Sequence, residues 1–315
     1  MKATPAVSYD AVLLLAFGGP NSPQEIRPFL HRVLQGVPVL PTRIEEVARH
    51  YEAVGGRSPL TELTFKQARA LENELRKRGQ ALPVYVGLRH SQPFIREALG
   101  QMVANGVKHA LGFILSAHRT EASWDRYQNS VAAAQRELGR KYPKIDYCPG
   151  WHSQPLFIRA WTELIGMELG KISPARRDST TLVFTAHSVP AAMAAGSPYV
   201  EQIHETARLI AAQLRHDRWF VAYQSRSGNP REPWLEPDIL SVIRVVKDQG
   251  AEEAVIAPIG FVCDHVEILY DLDIEARKAA EEAGLGFHRV RCVNDHPLFA
   301  RMMCDVIGAK LETSS

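Results

Sequence analysis

Apolar runs of strand length alternate with segments of helical period along almost the whole chain. The pattern predicts strands at 11–17, 83–88, 109–115, 144–148, 181–186, 219–224, 253–259 and 286–290. Helical segments lie between them, so each strand is followed by a helix rather than by a hairpin. This alternation is typical of an α/β protein whose parallel sheets are covered by helices on both faces.

The predicted strands fall into two sets of four, which indicates two similar doubly wound units. No Gly/Ser-rich linker separates the sets, and we place the boundary near Gly150. The predicted organisation is an N-terminal domain at 1–150, a C-terminal domain at 151–294 and a final helix at 295–315. We expect that helix to pack back on the first domain.

The apolar run 254–259 leads through Gly260 into a helical pattern with an acidic face. At about 100° per residue, a stripe of roughly 80° holds the side chains of Asp264, Glu267, Asp271 and Glu275. Asp273 falls on the other side. Acids near a helix N-terminus are also typical of a solvated face. Because this stripe begins where open α/β sheets bind ligands, it indicates a route for a divalent cation.

Other polar and aromatic residues follow the remaining strands at the same predicted edge: Phe17, His118, His187, Gln224, Ser225 and Arg226. His187, in FTAHSVP, is the sharpest candidate, since a histidine beside carboxylates can move protons or bind a metal. A packed, hydrogen-bonded histidine is the alternative interpretation. Ser188 beside it lacks the G-x-S-x-G surroundings of a hydrolase nucleophile.

A long polar and aromatic loop, 223–238, follows the sixth predicted strand. Its Tyr223, Trp234 and prolines would wall an apolar pocket for a flat ligand. Alternatively, Trp234 fills the core of an ordered connection. The sequence leaves both interpretations open.

Composition narrows the class of protein. The chain has 315 residues, of which 45% are hydrophobic, so it is long enough for two ordinary domains. Its 37 basic and 35 acidic residues nearly balance without blocks of one sign, so no nucleic-acid footprint is indicated. Gly18-Gly19-Pro20 fits neither common nucleotide-binding motif.

Cysteine use and the N-terminus predict a cellular compartment. Cys148, Cys263, Cys292 and Cys304 form no C-x-x-C pair and are typical of free thiols in a reducing cytoplasm. The first apolar run is too short for a membrane span and is preceded by Asp10 rather than by a basic region. We therefore expect a soluble cytoplasmic protein without a transmembrane segment.

Six segments resemble those of one family, the ferrochelatases. In the second half these are FTAHSVP, YQSRSGNPREPWLEPDI and IGFVCDHVEILYDLDIEA, and in the first half LLLAFGGP, YEAVGGRSPL and YVGLRHSQPFI. The likeness covers nearly the whole chain, in order and with similar spacing. It implies two Rossmann-like, chelatase-type domains, each a four-stranded parallel sheet flanked by helices. The domains would clamp a porphyrin while ferrous iron is inserted.

The resemblance also implies roles for individual residues. By position, His187 and Glu267 match the family's catalytic and metal-site residues, and Asp271 and Glu275 match acids that line its metal route. The predicted porphyrin contacts, some from the resemblance and some from strand ends, are Phe17, Tyr51, Ser58, His118, Tyr127, Gln224 and Trp234. Metallation removes two pyrrole protons, for which a neutral His187 and the Glu267 carboxylate are suitable acceptors. Bending the ring would add ground-state strain.

Within that family the chain resembles the branch that uses coproporphyrin III, which carries four propionates. The connection before YEAVGGRSPL is short and mostly polar, without an apolar, Trp-rich insertion. Phe17 stands where some members have tyrosine, and Leu34-Gln35 where some have arginines. Arg32 and Arg43 are the predicted substitutes for anchoring propionates. A cysteine-rich tail is missing, so no iron–sulfur cluster is expected.

The sequence leaves several alternative functions open. They are a protoporphyrin IX ferrochelatase that makes protohaem, a haem or tetrapyrrole carrier, and a cobalt or nickel chelatase. The presence of both His187 and Glu267 argues against a carrier, whereas ligand type alone does not select the metal. The expected partners are the porphyrin and ferrous iron as substrates, with no permanent cofactor and no nucleic acid. We expect a monomer with transient contacts to neighbouring haem-pathway enzymes.

Overall fold

The computed structural model describes residues 8–36, 41–139, 142–227 and 232–313. Its first sheet contains β1 (Ala11–Ala16), β2 (Val84–Leu88), β3 (His109–Ile114) and β4 (Lys144–Tyr147), all parallel, in the order β2-β1-β3-β4. The second sheet contains β5 (Thr180–His187), β6 (Trp219–Gln224), β7 (Glu253–Ala257) and β8 (Gly286–Arg289), in the order β6-β5-β7-β8. The second sheet repeats the topology of the first. The predicted α/β class with two parallel four-stranded sheets is confirmed.

Helices connect these strands. The first half contains α1 (Ile26–Val33), α2 (Pro41–Ala53), α3 (Leu60–Lys77), α4 (Ile95–Ala104) and α5 (Arg126–Leu138). Between the two sheets lie α6 (Pro155–Lys171) and α7 (Pro174–Arg177). The second half contains α8 (Ala191–Ala195), α9 (Tyr199–Leu214), α10 (Ile239–Asp248), α11 (Val266–Tyr270), α12 (Arg277–Glu282) and α13 (Pro297–Glu312). Short π-helical segments precede α5, at Glu121–Asp125, and α12, at Asp271–Ala276.

The central strands are buried on both faces, as their continuous apolar runs predict. Every residue of β1 and of β7 is buried. Strand β7 ends at Ala257, two residues before the predicted end. Pro258 has no N–H to donate to a neighbouring strand, and Ile259 N–H turns back to the Ala257 carbonyl at 2.9 Å.

One apolar cluster extends from the first sheet to the second. Trp151 stacks on Phe113 of β3 at a ring-centroid distance of 5.6 Å and lies 5.1 Å from Phe157 of α6. Phe299 of α13 packs against both Trp151 and Phe157. Helix α13 contacts α3 and α6, so it joins elements on either side of Gly150. The domain boundary near Gly150 stays a prediction.

Among the described residues, no helix is both long enough and apolar enough to cross a bilayer.

Candidate active site

His187 is the last residue of β5 and pairs in register with Gln224 at the end of β6. Its Nδ1 lies in a short contact with the Ser188 carbonyl oxygen, which can only accept, so Nδ1 carries the proton. Tyr199 donates its hydroxyl hydrogen to the His187 carbonyl at 2.9 Å. These contacts fix the imidazole so that Nε2 faces Glu267.

Glu267 lies in the first turn of α11, the helix that follows β7, the neighbour of β5 in the sheet. From there its side chain approaches His187. Its Oε1 is 3.6 Å from His187 Nε2. The side chains of His187 and Glu267 are 30% and 39% exposed, so the pair is open to solvent and does not lie in the core. The two groups with the strongest predicted roles are therefore brought together.

A chain of hydrogen bonds holds the start of α11 against the second sheet. Thr185 donates its hydroxyl hydrogen to Gln224 Oε1 at 2.8 Å, and Gln224 Nε2 donates to the Glu267 carbonyl at 2.9 Å. Thr185 and Gln224 are buried, where an unmade hydrogen bond costs about 1–3 kcal/mol. Gln224 thus positions the backbone of Glu267.

The connection from β7 to α11 passes very close to the end of β5. A Cβ at Gly260 would lie 2.5 Å from the Ala186 Cβ, and the Gly260 N–H donates to the Thr185 carbonyl at 3.0 Å. Only glycine fits this approach without movement. The loop then reaches His265, which caps α11 by accepting a hydrogen bond from the Glu267 N–H at 3.3 Å.

Electrostatics make His187 and Glu267 an ion pair. Burial alone would lower the pKa of His187, but the Glu267 carboxylate outweighs it and raises that pKa to about 9. Burial would likewise raise the pKa of Glu267, but His187 lowers it well below its usual range. The ion pair favours the protonated imidazole, whereas the predicted role as proton acceptor needs the neutral one. His187 must release its proton before it can accept another.

The two further predicted metal-route acids lie beyond Glu267 on the same element. Burial raises the pKa of Asp271 to about 7, with added repulsion from Glu267 and Glu275, although a short hydrogen bond from the Ser225 hydroxyl opposes this. The pKa of Glu275 is also raised, first by burial and then by Asp238 and Glu46. Glu267, Asp271 and Glu275 therefore form an acidic line in which both neighbours repel the charged form of Asp271.

The structure changes the predicted stripe in two ways. Helix α11 begins after His265, so Asp264 is not on it and instead pairs with Arg289 at 2.6 Å and accepts from Asn294 Nδ2 at 2.7 Å. The prediction that Asp264 shares the stripe is wrong. Asp273 points away, as predicted, and also pairs with Arg289, at 2.8 Å. The π-helical segment replaces the regular helix under Asp271 and Glu275.

The predicted porphyrin contacts of the first half lie around the end of β1. Phe17 is 37% exposed, and its ring is 4.5 Å from that of His90. Tyr51 and Tyr127 are buried, and burial raises the pKa of the Tyr127 phenol to about 12. Ser58 is also buried, and its N–H donates to the Pro20 carbonyl at 2.8 Å. Of these four, Phe17 presents a substantial face to the cleft.

His118 lies deeper than predicted. It is 1% exposed, and its Nε2 is 3.0 Å from the hydroxyl of Thr206 on α9. The Thr206 hydroxyl also lies 3.0 Å from the His152 carbonyl, to which it donates. Nε2 of His118 therefore carries the proton and donates to Thr206. His118 joins the first sheet to a helix of the second half, and its porphyrin contact stays a prediction.

The remaining predicted residues are distributed around the cleft. Trp234 is half-buried and bridges to Pro190 beside the end of β5. Arg32 donates through Nε to the His90 carbonyl at 2.9 Å, whereas Arg43 pairs with Glu46 at 2.8 Å. Leu34 ends α1 and Gln35 is exposed after it.

Two residues of the site, Thr185 and Tyr199, were missed at the level of the sequence. Thr185 donates to Gln224, which in turn holds the Glu267 backbone, and Tyr199 donates to the His187 carbonyl. Ser225 was predicted at the strand end, but its contact with Asp271 was not. Thr185 lies two residues before His187, a spacing that puts both on one side of a strand and gives a weak signal. Ser225 has a φ of 62°, a conformation rare for a residue other than glycine and found at functional sites. Within the described ranges, no three His, Cys, Asp or Glu side chains converge as metal ligands.

Comparison with known proteins identifies the family. The family model described as ferrochelatase matches residues 9–311. The chain belongs to the ferrochelatase family. Its similarity to a coproporphyrin III ferrochelatase of Mycolicibacterium smegmatis is 36% identity over 308 residues, covering 97% of this chain and 91% of that protein. A ferrochelatase of Rhodopirellula baltica is 38% identical over 306 residues, covering 96% of this chain and 86% of that protein.

Solved structures support the fold of this ferrochelatase family member. The sirohydrochlorin chelatase SirB from Bacillus subtilis subspecies spizizenii matches with a TM-score of 0.54 over 97% of both chains. DR2241 from Deinococcus radiodurans also has a TM-score of 0.54, over 94% of this chain and 55% of that chain. Their identities, 11% and 15%, are too low to carry substrate or metal across.

Proposed function

We propose that this ferrochelatase inserts ferrous iron into coproporphyrin III, forming the iron complex as a step of haem biosynthesis. The observation that carries the proposal is the His187–Glu267 pair, 3.6 Å apart at the open edge of the second sheet. The relatives from Mycolicibacterium smegmatis and Nocardia farcinica, 36% and 37% identical, are named as coproporphyrin III ferrochelatases. The connection before Tyr51 is short and contains no tryptophan, which supports the same choice of porphyrin.

The pair provides proton chemistry where the porphyrin centre would lie. An approaching dication weakens the ion pair, and the Nε2 proton of His187 then passes to solvent water, to which the pair is exposed. The neutral imidazole can then accept a pyrrole proton, and the Glu267 carboxylate offers a second acceptor. The contacts of His187 Nδ1 and of the Glu267 backbone keep both groups oriented through this cycle.

The acidic line supplies a path for the cation. Burial raises the pKa of Asp271, and repulsion from Glu267 and Glu275 raises it further. A hydrated dication bound beside them relieves that repulsion, and carboxylate oxygens suit a hard, partly hydrated ion. We therefore assign delivery of iron to Asp271 and Glu275 and the chemical step to His187 and Glu267.

We also propose that iron is only a substrate and that the protein has no iron–sulfur cluster. Each described cysteine is buried and free. Burial raises the pKa of the Cys148 thiol to about 12, which disfavours the thiolate that a cluster needs. We further propose that the protein is a monomer and is located in the cytoplasm. Absorbance near 400 nm, iron analysis of the protein as isolated, and light scattering test these points.

The choice of porphyrin is tested by steady-state kinetics. Anaerobic assays with Fe²⁺ would compare kcat/KM for coproporphyrin III and protoporphyrin IX in the same buffer and detergent. We expect a clear advantage, of at least about tenfold, for coproporphyrin III, since each lost carboxylate contact costs on the order of 1.4 kcal/mol. An advantage for protoporphyrin IX would assign the chain to the alternative reaction.

A further inference from the structure

An arginine that no prediction included lies beside two of the predicted porphyrin contacts, Phe17 and Tyr127. Arg89 follows β2, and its N–H donates to the Ala16 carbonyl at 3.1 Å, which ties it to the end of β1. Its guanidinium carbon is 5.9 Å from the ring centroid of Phe17 and 5.2 Å from that of Tyr127. Arg89 therefore lies between two side chains that are predicted to contact the porphyrin.

The charge of Arg89 has no counter-ion among the described residues. No ion pair there includes it, and its Nε is buried without a hydrogen-bond partner. Burial lowers the pKa of Arg89, and nearby Arg126 lowers it further. A half-buried guanidinium without a carboxylate is costly, so such a group is expected where a ligand supplies the negative charge.

The surroundings of Arg89 are positive. Arg89 and Arg32 both lower the pKa of His90 to about 4, after the larger effect of burial. Of the three arginines considered around this cleft, Arg43 already pairs with Glu46, and Arg32 uses Nε to bind the His90 carbonyl. The guanidinium of Arg89 alone among these three combines a buried, unpartnered Nε with a position beside Phe17 and Tyr127.

We propose that Arg89 binds a propionate carboxylate of the porphyrin and so helps to select a ring that carries several propionates. This inference rests on the proposed function, since it assigns one contact of the same substrate. The planar guanidinium offers donors that match a carboxylate in a fork geometry. The exposed ring of Phe17 would hold the edge of the macrocycle beside it, and the buried ring of Tyr127 supports the guanidinium from behind.

Binding without iron tests the role of Arg89 separately from chemistry. The dissociation constants of coproporphyrin III and of its tetramethyl ester would be measured by fluorescence, in the same detergent, for the wild type and for Arg89→Gln. We expect Arg89→Gln to weaken binding of the free acid by about 10- to 100-fold, because a hydrogen bond to a charged group is lost. Binding of the ester should change by less than about threefold.

The control variant is Arg126→Gln, which removes a positive charge nearby that is paired with Glu121 at 3.2 Å. It should leave both dissociation constants within about threefold of the wild type. Equal weakening of acid and ester by Arg89→Gln would overturn the proposal, since Arg89 would then only pack against the ring. Unchanged binding of the acid would overturn it as well.

Stability of the ligand-free protein gives a second readout. Removing an unpaired, half-buried charge should leave the Tm of Arg89→Gln equal to that of the wild type or raise it. A lower Tm would indicate that Arg89 serves mainly to stack on Phe17 and Tyr127, contrary to the proposal.

The experiments distinguish a failure of the proposed function from a failure of the proposed role of Arg89. If wild-type protein does not bind coproporphyrin III or does not metallate it, the proposed function fails. If wild type does both and Arg89→Gln binds the acid equally well, only the role of Arg89 fails.

Discussion

Glu267 combines two roles at the residue scale, since its carboxylate pairs with His187 while its carbonyl accepts from Gln224. Replacing the side chain alone should therefore change the chemistry without releasing the start of α11. The backbone hydrogen bond to Gln224 and the cap at His265 remain in any variant of Glu267.

We predict that Glu267→Gln lowers kcat by about 10- to 100-fold, because a positioned acid–base group is lost. The apparent KM for Fe²⁺ should change much less, since Asp271 and Glu275 remain. Anaerobic steady-state rates over a range of Fe²⁺ at saturating coproporphyrin III measure both constants. Glu201→Gln on α9 is the matched control. A raised KM for Fe²⁺ with an unchanged kcat would show that Glu267 acts in the delivery of iron and not in the chemical step.

The site residues that could be predicted from the sequence, such as His187, share one feature, their position at the end of a strand. His187 is a polar residue directly at the end of an apolar run, and that position survives errors of one residue in the strand boundary. The contacts of such residues were not predicted, because Tyr199 meets His187, and Ser225 meets Asp271, only through tertiary contact. Asp264 was placed wrongly because histidine is not a usual N-cap, so the helix start at His265 gave no sign in the sequence.

The acidic line belongs to the scale of the element. Asp271–Ala276 is π-helical, a form that appears mostly as single turns at functional sites. A regular period predicted the grouping of Glu267, Asp271 and Glu275, and in the structure both Glu267 and Glu275 raise the pKa of Asp271, after the larger effect of burial. The wider turn could not be predicted, because the acidic residues fit a regular helical period equally well.

We predict that Asp271→Asn combined with Glu275→Gln mainly raises the apparent KM for Fe²⁺, by about tenfold, and spares kcat. The reason is that these acids hold the cation before it reaches the porphyrin, and loss of such ground-state binding raises KM alone. The measurement is an Fe²⁺ series at fixed ionic strength and saturating porphyrin.

The matched control for this pair is Glu281→Gln with Glu282→Gln, which removes two exposed acids from α12. It should leave iron kinetics unchanged. Unchanged kinetics in the Asp271/Glu275 variant too would mean that the acidic line is only a solvated helix face.

At the scale of the whole molecule, buried polar contacts join the two halves. His118, at the end of the first sheet, donates to Thr206 of α9, and Gln67 of α3 donates to the Asn294 carbonyl at 2.8 Å. The number and direction of the strands followed from the alternating pattern. These contacts between halves did not, because each joins residues more than 80 positions apart.

His118 should make the fold sensitive to acid. Burial lowers its pKa to about 3, with a smaller effect of His152. An unfolded histidine titrates near 6.5, so between those values the unfolded chain binds more protons than the folded one. The free energy of unfolding therefore falls as the pH falls from 6.5 towards 3.

We predict that His118→Gln removes this contribution while its amide still donates to Thr206. Between pH 6 and 4, the wild type should lose about 1.4 kcal/mol per pH unit more than the variant. Urea unfolding at several pH values measures the difference, with His204→Gln on the exposed face of α9 as control. Parallel pH curves for wild type and His118→Gln would show that His118 is not held neutral.

The most direct test of the whole account is iron insertion by His187→Ala, measured together with porphyrin binding. His187 ends β5 at the cleft and pairs with Glu267, so its removal should lower the rate of metallation of coproporphyrin III by at least about 100-fold. The dissociation constant of coproporphyrin III, measured without iron, should stay within about threefold of the wild type. His204→Ala, on the surface of α9, should behave as wild type in both assays. Turnover by His187→Ala near the wild-type rate would contradict the assignment of the site.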